Sequence, residues 1–463
     1  MIARSSLRGS LLLAVVLWSA CGEPPGVEQA PDVLLITVDT LRADRLGAYG
    51  FGLDVSPAVD RLAESGVLFT RAISGASFTA PSHAAIMTSR YTREHTIGFD
   101  NGGTRIEGMS TLAERFSQAG YRTAAFVGNV VLQRRTGFDR GFDHYDDELP
   151  EPEQNREEIF ERIAEQTTER ALAWLDREDP RPTFLWVHYQ DPHGPYTPPT
   201  EFRGRFRIDP RAGERPLHVL DTPIGSGGIP SYQKLGDLRL PSIYESRYVE
   251  EIAYADSRIG QLVSAFDAAT DPAESIVVLT SDHGESLGEE DRYFVHGSST
   301  TPDQAHVPLI LRAPGLTPGR STRTVHHVDI LPTLLELAGL EVPTEISGIA
   351  LGPILRGSAP MPDRLVYCDD GHDLSAYGPD GFIRVHGLRG AWKSVDLAEA
   401  PSMNPRWEGY AWPTGEEWTP RSPPGIAEKD RIRGYMRTAR PMVEAEAITP
   451  VLSEMLRALG YVE

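Results

Sequence analysis

The chain has 463 residues, 40% hydrophobic and 24% charged, enough to bury one large core or two unequal domains. Its net charge of −21 excludes a general nucleic-acid binder, which needs a basic face. If the ligand is itself an anion, the same acidity calls for local cations, metals above all.

The N-terminus reads as an export signal. Arg4 and Arg8 precede the apolar run LLLAVVLW (11–18), which is too short to span a bilayer. It ends in SACGEPP, where small residues precede Cys21. That pattern resembles a bacterial lipoprotein signal, in which the cysteine is lipidated and becomes the new N-terminus. Trp18 stands where the pattern prefers Leu, so plain secretion is the other reading. Residues 1–21 are thus expected to be a signal, and GEPPGVEQAP (22–31) a flexible tether. The protein is then periplasmic or at the cell surface, touching membrane only through a lipid. Cys368 is the other cysteine and reads as a small buried hydrophobe, so no intramolecular disulfide is expected.

Beyond the tether, strand-like and helix-like runs alternate. DVLLITVD (32–39) is a continuous apolar run, as a parallel strand covered on both faces requires. SPAVDRLAESG (56–66) is a helix with Ser56 as cap, Pro57 in the first turn and Gly66 as stop. SFTAPSHAAIMTSR (77–90) sets hydroxyls and Pro81 at a helix mouth, then Ala84, Ile86 and Met87 toward a core. TLAERFSQAG (111–120) and the stretch from Asn155 to about Trp174 repeat the helical period. TFLWVHYQ (183–190), SIVVLTS (275–281) and VPLILRAPG (307–315) are strands, and VDILPTLLELAGL (328–340) is a helix. Such alternation predicts an α/β fold, a doubly wound and mostly parallel sheet with helices on both faces. Residues 194–243, rich in Pro and Gly, read as an excursion from the strand that ends near Asp191, of a kind that is often functional.

The decisive pattern is where acids fall. One strand exits into Asp39, another into Asp191-Pro192-His193, a third into Asp282-His283. The carboxyl ends of parallel strands share one edge, where ligands bind. Singly, each Asp is a cap or turn residue and each His a satisfied polar group. Together, three strand-end acids and two histidines predict a cation site for Zn²⁺, or for Mn²⁺, Mg²⁺ or Ca²⁺ if fewer histidines take part.

With these residues in view, the chain from about residue 32 onward resembles the sulfatases of the alkaline phosphatase superfamily. VLLITVDTLRADRLGAYG (33–50), SFTAPSHAAIMTSRYT (77–92), GYRTAAFVGN…GFD (120–139), DPHGPY (191–196), SDHGESLGEE…HG (281–297), HVDILPTLLELAGL (327–340) and LRALGYV (456–462) match family segments in order. The resemblance implies a sulfatase-like catalytic α/β domain over residues 32–340 and a smaller C-terminal subdomain over 341–463. In the latter, GFIRVHGLRGAWKSVDL (381–397) reads as two short strands of the family's small antiparallel sheet. Solvated charges are the plainer reading of Arg389 and Lys393 there, though both could reach the site. GYAWPTGEEWTPRSPP (409–424) reads as a surface segment, and VEAEAITPVLSEMLRALG (443–460) as a final amphipathic helix.

The resemblance further implies that Asp39, Thr79, Asp282 and His283 hold one divalent metal, with Thr79 as the nucleophile. His193 would meet substrate or leaving group, and Asp191, His193 and His296 are the candidates for a second metal or for substrate. The departures are specific. Formylglycine is made from Cys or Ser, and residue 79 is Thr. The family's Arg four residues later is His83, its second N-terminal Asp is Thr40, and its Lys and His are replaced in GNVVL (128–132). Thr79 and His283 resemble instead the di-zinc phosphodiesterase branch, where an unmodified Thr attacks phosphorus. The resemblance and its departures together imply a metal-dependent hydrolase of sulfate or phosphate esters with Thr79, unmodified, as its metal-bound nucleophile and His193 and His83 as catalytic partners. The competing reading is a catalytically inactive sulfatase-like protein that binds an anionic glycan or surface polymer. The sequence is silent on assembly.

Overall fold

The structure is a computed structural model that describes residues 30–95, 97, 106, 108–223, 225–370, 373–386, 406–412 and 419–438. The expectations for the signal, Cys21, most of the tether, Arg389, Lys393 and the final helix over 443–460 lie outside the described residues.

Eight strands form the central sheet: β1 (Val33–Val38), β2 (Val67–Ile73), β3 (Arg122–Val127), β4 (His144–Asp146), β5 (Thr183–Tyr189), β6 (Ile276–Ser281), β7 (His306–Arg312) and β8 (Gly319–His326). Their order is β8-β2-β7-β6-β1-β5-β3-β4, and every pairing is parallel except those of β7. β1 sits in the middle between β6 and β5, with all six residues buried, which is why its sequence carries no polar alternation.

Helices cover both faces. On one lie α2 (Thr79–Thr88), α3 (Leu112–Gln118) and α6 (Ile330–Leu337), packing Ile86, Phe116 and Leu334 on Leu35, Trp186 and Val278. On the other lie α1 (Pro57–Ser65), α4 (Ala164–Leu175) and α5 (Pro241–Ala269), packing Leu62, Trp174 and Ile252 against Ile36, Val187 and Leu279. Burying each such side chain stabilises the fold by roughly 1.5–3 kcal/mol before ordering costs. The α/β class, the mostly parallel sheet and the two helical layers agree with the sequence reading.

Local readings hold unevenly. Thr111 and Glu114 form a capping box at α3, as their spacing suggests. At α1, Ser56 makes no capping bond; the free N–H groups of Ala58 and Val59 are accepted by Asp256 from α5. The helix expected from Asn155 begins only at Ala164, because Glu151–Glu153 and Arg156–Glu161 form a hairpin. There the buried Arg156 is held against the buried Glu153, while Phe160 faces solvent. The long α5 follows the irregular 194–240 excursion, and no helix among the described residues is long and apolar enough to cross a membrane.

C-terminal to this core, Val366–Asp369, Leu374–Gly378, Gly381–His386, Arg406–Tyr410 and Pro420–Arg421 form a five-stranded antiparallel sheet, more than the two strands read from sequence. The helix α7 (Ile426–Thr438) covers it through Ile432 and Tyr435, and the same cluster reaches Ala85 on α2. Cys368 is fully buried there, with its Sγ 3.8 Å from the Ser74 hydroxyl.

Candidate active site

Strand register builds the site. Val38 pairs with Ser281, so the next residues, Asp39 and Asp282, leave β1 and β6 side by side. Both continue the parity of Leu35 and Val278 and therefore face the α2 layer. The Thr40 and His283 amides donate to Asp282 Oδ1 at 3.2 and 2.7 Å, fixing that carboxylate. Thr40 itself has φ 52°, a costly conformation for a β-branched residue; its carbonyl accepts from Tyr248 at 2.6 Å.

Thr79 opens α2 at the same edge. Its Oγ1 lies 3.5 Å from Asp39 Oδ2 and 3.3 Å from His283 Nε2. His283 Nδ1 donates to its neighbour's carbonyl, Gly284 O, at 3.0 Å, so its Nε2 presents a lone pair to the cluster. That nitrogen is 3.7 Å from Asp39 Oδ1 and 3.5 Å from Asp282 Oδ2. Both carboxylate oxygens are buried without a hydrogen-bond partner among the described residues. One ligand atom from each of Asp39, Asp282 and His283 falls within 4.8 Å of the others, all three residues buried. Unpaired acceptors converging in a sealed site fit a divalent cation and little else. Without one, burial and the Asp39 charge push Asp282 well above the usual carboxylate range. Burial raises Asp39 too, against the pull of His283, and pushes the His283 imidazole down to about 3.

The rest of the predicted set divides. His193 and His296 line the approach: His296 stacks on His283 with centroids 4.6 Å apart, and His193 meets His296 edge-on at 5.0 Å. His296 Nδ1 is 3.3 Å from Glu285 Oε1, a fully buried carboxylate that the sequence reading did not single out. Asp191 is a correction. Val38 pairs with Tyr189, so Gln190 is the β5 residue in register with Asp39, and Asp191 turns to the opposite face. There its Oδ2 accepts from the Ala164 amide at 2.7 Å, at the start of α4, and it bonds to Glu251 of α5. The cap that Asp191 suggested when read singly is what it is. Among the described residues, the group of His, Cys, Asp and Glu that converges closely enough to hold a metal is Asp39, Asp282 and His283, and it does not include Asp191, His193 or His296.

His83 is a second correction. Its Nδ1 donates to the Thr79 carbonyl at 2.8 Å and its Nε2 meets the Thr37 hydroxyl at 3.0 Å. Both nitrogens are committed to protein, so the ring braces the first turn of α2 at Thr79. Two neighbours were not read from sequence. Asn129 donates to Asp39 Oδ2 at 2.8 Å, and His188, facing inward from β5, brings Nε2 to 3.6 Å from the same oxygen. Gly297 follows His296 with φ 73°, and a Cβ there would collide with the Phe78 ring that precedes Thr79.

The family model described as Sulfatase matches residues 31–340. The chain belongs to the sulfatase family. It is 25% identical to N-acetylglucosamine-6-O-sulfatase of Bacteroides thetaiotaomicron over 436 residues, covering 76% of each chain. It is 27% identical to human iduronate 2-sulfatase over 423 residues, covering 73% of this chain and 75% of that one. The phosphonate monoester hydrolase of Agrobacterium radiobacter shares the fold, with a TM-score of 0.61 and 20% identity over 77% of this chain and 87% of that one. This sulfatase-family protein is accordingly an ester hydrolase of a metal-dependent family, and the buried Asp39–Asp282–His283 group is where a metal fits.

Proposed function

We propose that this sulfatase-family protein hydrolyses sulfate or phosphate esters with the unmodified Thr79 hydroxyl as nucleophile. The observation that carries the reading is the position of Thr79 Oγ1, at the start of α2 and within 3.5 Å of both Asp39 and His283. Asp39, Asp282 and His283 would hold the cation, with Thr79 beside it. Bound there, a divalent ion supplies Lewis acidity, lowering the pKa of an adjacent hydroxyl and offsetting charge on the ester oxygens. A donor set of two carboxylates and one imidazole suits Zn²⁺ or Mn²⁺ better than Ca²⁺.

The protein's own groups do the rest. Asn129 and the Thr40 amide orient the two carboxylates, and the first turn of α2 offers N–H groups to an anionic ester. His193, half-buried and with a buried Nδ1 that has no partner among the described residues, faces the approach with its proton affinity pushed well down by desolvation and by His296. It is placed to hydrogen-bond the departing oxygen. His193→Ala should then slow alkyl esters by about 100-fold or more, and nitrophenyl esters, whose alcohols leave unaided, far less. Equal losses on both classes would remove His193 from that role.

Relatives named as sulfatases favour sulfate esters, while the unmodified alcohol favours phosphate esters or diesters. Turnover of aryl sulfate, aryl phosphate and aryl phosphodiester measured side by side with added Zn²⁺, Mn²⁺ or Ca²⁺ decides between them. No turnover on any, with metal bound, would support the inactive anion-binding reading. We also propose that Cys21 is lipidated and anchors the exported protein, supported by the Arg4/Arg8–apolar–SAC pattern. Labelled palmitate should enter the wild-type chain expressed in bacteria and not Cys21→Ala; an unlabelled wild type refutes the anchor.

A further inference from the structure

A single buried hydroxyl, that of Thr37 on β1, has three nitrogens around it. Trp186 Nε1 lies at 2.9 Å, His83 Nε2 at 3.0 Å and His188 Nδ1 at 3.1 Å. All four side chains are fully buried. A threonine hydroxyl has one hydrogen to give and two lone pairs to receive with, so three partners saturate it and their roles are not free.

The roles follow in order. The indole N–H can only donate, so it takes one lone pair. His83 Nδ1 must donate to the Thr79 carbonyl, which leaves Nε2 of the neutral ring as an acceptor, and it receives the Thr37 hydrogen. His188 Nδ1 must then donate into the remaining lone pair. Its other nitrogen, Nε2, is therefore unprotonated, and it is the one that stands 3.6 Å from Asp39 Oδ2 with no hydrogen-bond partner among the described residues. The alternative arrangement requires His83 to be an imidazolium, sealed from solvent beside a site that attracts a cation, and is disfavoured on both counts.

We propose that Thr37 is a positioning residue of the metal centre: it fixes the tautomers of His83 and His188, bracing Thr79 through one and turning a bare nitrogen lone pair toward Asp39 through the other. Two acceptors face to face repel unless positive charge lies nearby. Asp39 already has Asn129 and Thr79 on Oδ2, so the His188 lone pair biases this carboxylate toward the state that holds a cation. The inference rests on the proposed cation site and adds to it the residue that orients its surroundings.

The test is Co²⁺ binding to the full chain, read by competition with a fluorescent chelator and by the visible absorption of bound Co²⁺. Thr37→Val keeps the volume and removes the junction, and should weaken Co²⁺ binding about 10–100-fold and shift the absorption. Thr37→Ser restores the hydroxyl and should stay within about twofold of wild type. His188→Gln should lose as much as Thr37→Val, and the double variant no more than either alone, because both break one network. Should Thr37→Val not fold, His188→Gln and Thr37→Ser still decide. Wild-type affinity and spectrum in both folded Thr37→Val and His188→Gln, fully additive losses, or failure of Thr37→Ser to restore binding, would overturn the assignment. A wild type that binds no Co²⁺ overturns instead the cation site beneath it.

Discussion

Thr79→Ala should abolish turnover, lowering kcat by about 10,000-fold or more, while the folded protein still binds its metal through Asp39, Asp282 and His283. Among the described residues the Thr79 hydroxyl bonds only to Asp39 and His283, at 3.5 and 3.3 Å, so its removal costs the fold little. Thr79→Ser keeps an alcohol at the same place and should retain measurable activity. The comparison separates chemistry from scaffold: a group that merely braced the site would leave substantial turnover in the alanine variant. Since threonine cannot be converted to formylglycine, peptide mapping of active enzyme should return Thr79 at its unmodified mass.

Asp282→Asn should lower metal affinity on the order of 100-fold or more and invert the stability ranking of the metal-free proteins. Burial and Asp39 hold the Asp282 carboxyl well above its ordinary value, so the metal-free fold keeps a proton that the unfolded chain releases. For a group with a raised folded pKa, stability is greatest below the unfolded value, about pH 4, and is lost as pH rises. Metal-free wild type should weaken above that pH, and the Asn variant should weaken less and be the more stable at pH 8. Saturating metal should reverse the order, adding about 4 kcal/mol to wild type at a thousandfold excess over Kd and little to the variant. Urea titrations with and without chelator measure both halves. Equal slopes against pH and equal metal responses would place the cation elsewhere.

How far the sequence could be read follows from where each residue's signal lies. Asp39 and Asp282 were legible because each follows a mostly apolar strand, and the edge shared by parallel strands brought them together. Asp191 carried the same signal but sits one residue out of register, and a period of two sends it to the other face. His188 and Thr37 lie inside strands that read as plain core, and only coordinates reveal that they meet across β1 and β5. The helix over Pro241–Ala269 was not read because Glu245, Glu250, Glu251 and Asp256 lie buried along it, interrupting the apolar stripe; Asp256 is there to cap α1. The helix expected from Asn155 was overtaken by the Arg156–Glu153 pair, a local contact that fixes a hairpin. His83 stands in the place of a family Arg, and that substitution said what was lost without saying that the imidazole would turn back on Thr79.

The most direct test is acid quench of the metal-loaded enzyme during turnover of its best aryl ester, followed by peptide mass spectrometry. A sulfuryl or phosphoryl group is expected on Thr79, formed as alcohol is released. Stoichiometric alcohol release with the transferred group on another side chain would contradict it.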